Sequence, residues 1–151
     1  MTSNPIDKNK AGFFILGSLC IFFKHTDLYG YVHPYNFLEW TSYVREAFFQ
    51  ETVANFTEVL RRPVKMMTVR ISSSLLQDSE FGDQIEARLS VDKIKKVSFD
   101  MIVRFYNVSK GTLVCMTRHT VVFVDTEAEG FAPIPSEMAD VIIHYRESTA
   151  S

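Results

Sequence analysis

One long amphipathic helix followed by four strands in a row leaves this chain few ways to fold. Phe37, Trp40, Val44, Ala47 and Phe48 recur at three- and four-residue steps. A helix over residues 34–51 therefore presents one continuous apolar stripe. Pro34 suits its first position, where a backbone N–H would have had no partner. Downstream the period changes to two. Met67, Val69 and Ile71 alternate with Thr68, Arg70 and Ser72, and Ile85, Ala87, Leu89 and Val91 alternate with Glu86, Arg88, Ser90 and Asp92. Phe99, Met101, Val103 and Phe105 repeat the pattern, and residues 113–124 form a last, longer strand. Side chains that alternate in this way mark half-buried strands.

The segments between these elements carry turn chemistry at residues 77–83, at Lys95-Lys96 and at 107–111, while Arg61-Arg62-Pro63 closes the connection after the helix. Upstream, residues 12–24 are apolar almost without a break, which predicts a strand buried on both faces. Pro133 and Pro135 interrupt the chain before a short terminal helix over 136–146, with Ser136 as its N-cap. The order is strand, long helix, four strands, short helix. It predicts an α+β domain in which an antiparallel five-stranded sheet wraps around the long central helix, because consecutive strands favour hairpins over crossovers.

With 151 residues the chain suits a single domain over 1–151, preceded by a polar tail over 1–10. Thirteen phenylalanines and six tyrosines supply either a core or an apolar ligand tunnel. Sixteen basic against eighteen acidic residues give a net charge of −2, which argues against nucleic acid or an anionic membrane as partner. Cys20 and Cys115 lie in apolar segments without metal spacing and read as free thiols in a reducing compartment. Lys8 and Lys10 before the apolar run 11–23 imitate a signal peptide, but Lys24, His25, Thr26 and Asp27 stand where small cleavage-site residues belong. The run is also shorter than the ~20 residues that a bilayer requires. A cytoplasmic location is expected. His25, His119 and His144 lack metal-ligand spacing, and neither a Gly-rich phosphate loop nor a nucleophile elbow occurs, so no cofactor is expected.

Chemistry concentrates where the first strand meets the long helix. Asp27 ends the apolar run, Gly30 marks a turn, and Pro34 opens the helix. A carboxylate is thereby set beside a helix N-terminus, where backbone N–H groups lack partners and the dipole is positive. A base beside preorganised donors suits attack on a carbonyl. The alternative for Asp27 is a turn-forming or helix-capping aspartate, which is common before glycine.

Asp27-Leu28-Tyr29-Gly30-Tyr31-Val32, then His33-Pro34-Tyr35-Asn36-Phe37 with Trp40 on the helix, resembles the Asp-x-x-Gly and aromatic-rich stretch of hotdog-fold thioesterases of the 4-hydroxybenzoyl-CoA thioesterase type. Phe81-Gly82-Asp83-Gln84-Ile85 is similar to a second element of that family. The likeness spans about residues 14–125. Within the family, Asn36-Phe37-Leu38-Glu39-Trp40 and Arg45-Glu46 look closest to the discrete thioesterases of enediyne and polyunsaturated fatty acid biosynthesis. Enediyne members carry Asn where this chain has Asp27.

The resemblance implies hydrolysis of an acyl thioester, on CoA or an acyl carrier protein, with release of a fatty acyl or polyketide-type acid. Asp27 would act as base or nucleophile. The family's backbone oxyanion donor falls on Pro34, which has no N–H, so the role moves to Tyr35 or His33, with Tyr35 favoured. His33 is either a proton shuttle or a cap residue; Asn36 either contacts substrate or holds the turn. Gly30, Tyr29 and Arg45 are further substrate-binding candidates, Arg45 through a carboxylate or phosphate, its alternative being a solvated helix-surface arginine. Arg61, Arg62, Lys65, Lys95 and Lys96 are candidates for holding phosphopantetheine. The family's assembly is a dimer with sheets joined edge to edge, often doubled, so a dimer of dimers is expected. Two other activities compete: a hotdog 3-hydroxyacyl dehydratase or hydratase, whose Gly-Asp-x-Asn-Pro-x-His segment is absent, and a non-catalytic acyl-binding module.

Overall fold

The computed structural model describes residues 12–147, so the tail over 1–10 lies outside the described residues. Strand β1 (Phe14–Cys20) leads through a 3₁₀ turn (Phe23–His25) to α1 (Tyr35–Thr52) and a short α2 (Phe56–Leu60). Strands β2 (Val64–Leu75), β3 (Gln84–Asp92), β4 (Ser98–Asn107) and β5 (Thr112–Asp125) follow, then the two-residue β6 (Gly130–Phe131) and α3 (Ser136–Ile142). The strands form one antiparallel sheet in the order β1-β3-β4-β5-β2, with β6 added beside β5. The chain is α+β, with a curled antiparallel sheet consistent with a hotdog fold.

Alternation and stripe meet as the periods require. Helix α1 buries Phe37, Trp40, Val44, Phe48 and Phe49 and packs on β3, β4 and β5. Opposite it stand Ile85, Ala87, Leu89, Phe99, Met101, Val103 and Phe105, all fully buried. Ring edges interlock between the layers: Phe37 lies 5.2 Å from Phe105, and Phe14 lies 5.4 Å from Phe48 in a T-shaped pair. Truncating one such phenylalanine to alanine typically costs about 3–5 kcal/mol.

Three boundaries differ from expectation. The strand expected over 12–24 is shorter, ends at Cys20 and is not buried on both faces, because β1 is an edge strand that among the described residues pairs only to β3. Its apolar continuation, Phe22 and Phe23, is exposed on the 3₁₀ turn. Pro34 stands one position earlier than expected, as the N-cap, and Tyr35 is the first helical residue. In α3 the cap is Pro135 rather than Ser136, and the helix tightens into a 3₁₀ turn (Ile143–Tyr145). The other edge, β2, is long and carries exposed Met67, Val69, Ile71 and Leu75. Both cysteines are free, Cys115 buried beside Ser73.

Candidate active site

A small hairpin over residues 26–32 carries Asp27. Thr26 and Val32 pair across it, the Asp27 N–H donates to the Tyr31 carbonyl (2.8 Å), and the Gly30 N–H donates to the Asp27 carbonyl (3.1 Å). Gly30 has φ +81°, a conformation that a side chain would strain. Asp27 Oδ1 accepts the N–H groups of Tyr29 (2.8 Å) and Tyr31 (3.2 Å). The turn-forming reading of Asp27 therefore holds for one oxygen. Oδ2 takes no hydrogen bond among the described residues.

Backbone ties fix this hairpin to the rest of the fold. The Val32 N–H donates to the Ser79 carbonyl (2.8 Å), and Tyr31 bridges to Glu80, which docks the hairpin on the β2–β3 loop. The His33 N–H donates to the His25 carbonyl (2.8 Å). Asn36, buried in the first turn of α1, donates from Nδ2 to both the His25 carbonyl (2.8 Å) and the His33 carbonyl (3.0 Å). The Asn36 amide is thus a structural clamp, with both donor contacts made to backbone.

Asp27 lines a depression of about 320 Å³ with Tyr31, Val32, Pro34, Phe37, Leu75 at the end of β2 and the loop residues Leu76, Gln77, Asp78 and Ser79. It is open to solvent, with apolar Val32, Pro34, Phe37, Leu75 and Leu76 and polar Gln77, Asp78 and Ser79 in its walls. Ser79 is a member that the sequence did not single out: it is buried, and its hydroxyl has no hydrogen-bond partner among the described residues. An unsatisfied buried hydroxyl is costly in a fold and is therefore a candidate ligand contact. In sequence, Ser79 is one more turn residue between two strands.

The helix start narrows the backbone donors. The His33 N–H is spent on His25, which removes it as oxyanion donor. The N–H groups of Asn36 and Phe37 make 3.1 and 3.2 Å bonds back to the carbonyls of His33 and Pro34. The Tyr35 N–H has no acceptor among the described residues. Its ring rests 4.3 Å from that of His33, and Tyr35 lines a neighbouring depression with Lys24, His25, Asn36, Glu39 and Trp40 rather than the one holding Asp27. There burial, then the Lys24 charge, pulls the His25 imidazole below its ordinary range against the opposing field of Glu39. His25 Nδ1 accepts the Phe22 N–H (2.9 Å).

Other candidates are dispersed. Tyr29 is 83% exposed and directs no surface into the depression. Arg45 is half-buried rather than solvated on the helix surface, and donates to Thr68 across to β2 (2.7 Å). It stands ten residues beyond Tyr35, about 15 Å at the α-helical rise, and lines a separate cavity. Arg61 pairs with Glu58 and Arg62 with Glu137, while Lys95 and Lys96 sit exposed at the β3–β4 turn. Asp83 is structural: burial alone would raise its carboxyl, but hydrogen bonds from the Glu80 N–H (3.0 Å) and Asn107 (2.8 Å), with the Lys110 charge, hold it below the usual range. Among the described residues no group of His, Cys, Asp or Glu could hold a metal ion, and no helix is long and apolar enough to cross a membrane.

The profile of the thioesterase-like superfamily matches residues 22–142, and the chain belongs to that superfamily. Thioester hydrolysis is its activity class. Among solved structures the chain is similar to the dynemicin thioesterase, with 20% identity and a TM-score of 0.82, over 91% of this chain and 99% of that one. It is similar also to a 1,4-dihydroxy-2-naphthoyl-CoA thioesterase from Synechocystis, with 15% identity and a TM-score of 0.77, over 87% and 96% of the two chains. The 12:0-ACP thioesterase from Umbellularia californica matches with 11% identity and a TM-score of 0.77, over 92% of this chain and 52% of its own. No curated protein sequence matches the chain.

Proposed function

We propose that the Asp27 depression is the hydrolytic site and that its substrate is a fatty acyl or polyketide-type thioester of CoA or an acyl carrier protein. The observation that carries the reading is the divided carboxylate of a residue lining the depression: Oδ1 is anchored by two backbone N–H groups, while Oδ2 takes no hydrogen bond among the described residues. The anchored oxygen fixes orientation and leaves the other available for chemistry.

Asp27 Oδ2 takes a proton from water as that water adds to the thioester carbonyl. The developing oxyanion draws on the Ser79 hydroxyl, which belongs to the same depression. Collapse of the tetrahedral intermediate breaks the C–S bond, and the departing thiolate recovers the proton. Attack by Oδ2 itself, giving an acyl anhydride that water then opens, uses the same atoms; after a single turnover in ¹⁸O-water, label in Asp27 arises only in the second, when water opens the anhydride at the aspartyl carbonyl. A positioned base contributes about 10²–10⁴-fold to rate, and one oxyanion donor about 10²–10³-fold. Gly30 allows the turn that aims Asp27, and Asn36 and His33 hold the helix start; Tyr29 meets the part of the substrate outside the depression.

In this reading α1 is the central helix of a hotdog and the reaction is cytoplasmic. An exposed β2 edge with an apolar row favours a homo-oligomer, two chains pairing along β2 and two such dimers associating. A panel of aryl and fatty acyl thioesters, read by release of free thiol, tests the proposal. Hydrolysis of at least one class is expected, with Asp27→Ala folded but inactive. A wild-type protein that turns over none of them, or merely binds them intact, contradicts it.

A further inference from the structure

His25 joins three segments at this end of the molecule. Its ring closes the 3₁₀ turn, where Nδ1 accepts the Phe22 N–H (2.9 Å). Its carbonyl accepts the His33 N–H (2.8 Å) and the Asn36 amide (2.8 Å), which fastens the end of the Asp27 hairpin and the first turn of α1. Thr26, paired with Val32, and then Asp27 follow directly along the chain. The ring is half-buried and forms a T-shaped pair with Trp40, 5.2 Å between centroids. A neutral imidazole has one acceptor nitrogen and one N–H. Acceptance at Nδ1 therefore requires the tautomer with its proton on Nε2.

That arrangement does not survive protonation. An imidazolium carries a proton on both nitrogens, so Nδ1 would turn a donor toward the Phe22 N–H. The ring must then swing away, and the turn loses the bond that closes it. The charges around the ring decide when this happens. Lys24 on the same turn opposes the imidazolium and Glu39 on α1 favours it, while Tyr35 is the remaining titratable group lining this depression. His33, bound to His25 through its backbone, turns its own ring onto Tyr35 (4.3 Å). Burial and Lys24 together outweigh Glu39, so the folded protein takes up this proton only below the ordinary 6.5. At neutral pH the turn is closed.

We propose that His25 is a positioning residue that latches the Asp27 hairpin to the start of α1, and that protonation of its ring releases the latch. The released turn passes its slack through Thr26 to the Asp27 turn and through the His25 carbonyl to His33 and Asn36. His25 acts through Asp27 rather than on substrate. The consequence for turnover rests on the hydrolytic reading of Asp27; the conformational step does not.

Trp40 is the one tryptophan of the chain, and an imidazolium in contact with an indole quenches its emission. Acidifying the intact protein from about pH 7.5 to about pH 5 is expected to lower fluorescence reversibly, with a midpoint below 6.5. Amide hydrogen exchange over residues 26–32, corrected for its intrinsic pH dependence, should rise over the same range by about three- to tenfold, the worth of one hydrogen bond. His25→Asn sets an amide oxygen where Nδ1 stands and does not titrate, so it should lose the fluorescence step and keep the hairpin protected at both ends of the range. His25→Ala, with no acceptor, should show the loosened hairpin already at neutral pH. Thiol release should fall on acidification about three- to tenfold further in the wild type than in His25→Asn. A wild type without the fluorescence step, a His25→Asn protein that retains it, hairpin exchange that responds alike in the two proteins, or thiol-release profiles of the same shape in both would overturn the proposal. The expected fluorescence and exchange responses in a protein that releases no thiol would uphold the latch and overturn the hydrolytic reading instead.

Discussion

The Asn36 side-chain amide donates to the His25 carbonyl at 2.8 Å, and the same carbonyl accepts the His33 N–H at 2.8 Å. One backbone oxygen thus gathers the 3₁₀ turn, the end of the Asp27 hairpin and the first turn of α1. Asn36→Ala leaves part of that demand unmet in a buried position. A loss of about 1–3 kcal/mol in unfolding free energy is expected, accompanied by a fall in thioester turnover as the hairpin loosens. Denaturant titration beside a thiol-release assay measures both. A variant of wild-type stability and rate would show that the clamp is dispensable.

Ser79 gives a sharper separation of structure from function. Its hydroxyl is buried and unpaired among the described residues, so Ser79→Ala removes a desolvation cost. Thermal stability should hold or rise. If the hydroxyl meets the oxyanion, kcat should fall by about 10²-fold with little change in KM. Unchanged kcat with raised stability would remove Ser79 from the site.

His119 sets a pH dependence of stability. Burial, then the Arg45 charge, lowers its imidazole to about 4 from an ordinary 6.5. The unfolded chain takes up this proton near pH 6.5 and the folded chain only near 4, so between those values the unfolded state binds more protons. His119 therefore makes stability fall as pH drops from about 6.5 to about 4, by at most ~1.4 kcal/mol per pH unit, and adds no further slope below that. Denaturant midpoints across pH 4–7 for the wild type and His119→Gln should differ in slope over that window. Parallel profiles would contradict a buried neutral imidazole.

The β2 edge bears on assembly. Val69 and Ile71 are 58% and 54% exposed on a twelve-residue strand with no neighbour on its outer side among the described residues. Replacing Ile71 by Lys places a charge where two such edges would meet. Multi-angle light scattering should show the wild type as an oligomer and Ile71→Lys as a smaller species. A wild-type monomer at micromolar concentration would contradict pairing through β2.

How much of this was legible in the sequence depended on whether the signal was periodic. The alternation over residues 85–91 and the stripe from Phe37 to Phe48 specified β3 and α1 because every residue repeats the same instruction. The end of β1 was misread, since Phe22 and Phe23 are apolar yet exposed, and nothing local distinguishes them from strand residues. The Asp27 turn could be read from its order of carboxylate, glycine and proline. Ser79 could not: it reaches the depression only because the β2–β3 loop docks on Val32. For Arg45 the sequence left open a substrate contact or a solvated helix surface, and its half-burial against Thr68 and His119 becomes visible only when β2 and β5 close over it.

The most direct measurement is the rate of thiol release by Asp27→Asn. Asparagine keeps an oxygen for the Tyr29 and Tyr31 N–H groups, so the hairpin persists while the carboxylate is lost. Turnover about 10²–10⁴-fold below wild type, at matched thermal stability, is the expected result. A folded Asp27→Asn protein that hydrolyses acyl thioesters at the wild-type rate would contradict a carboxylate mechanism at this site.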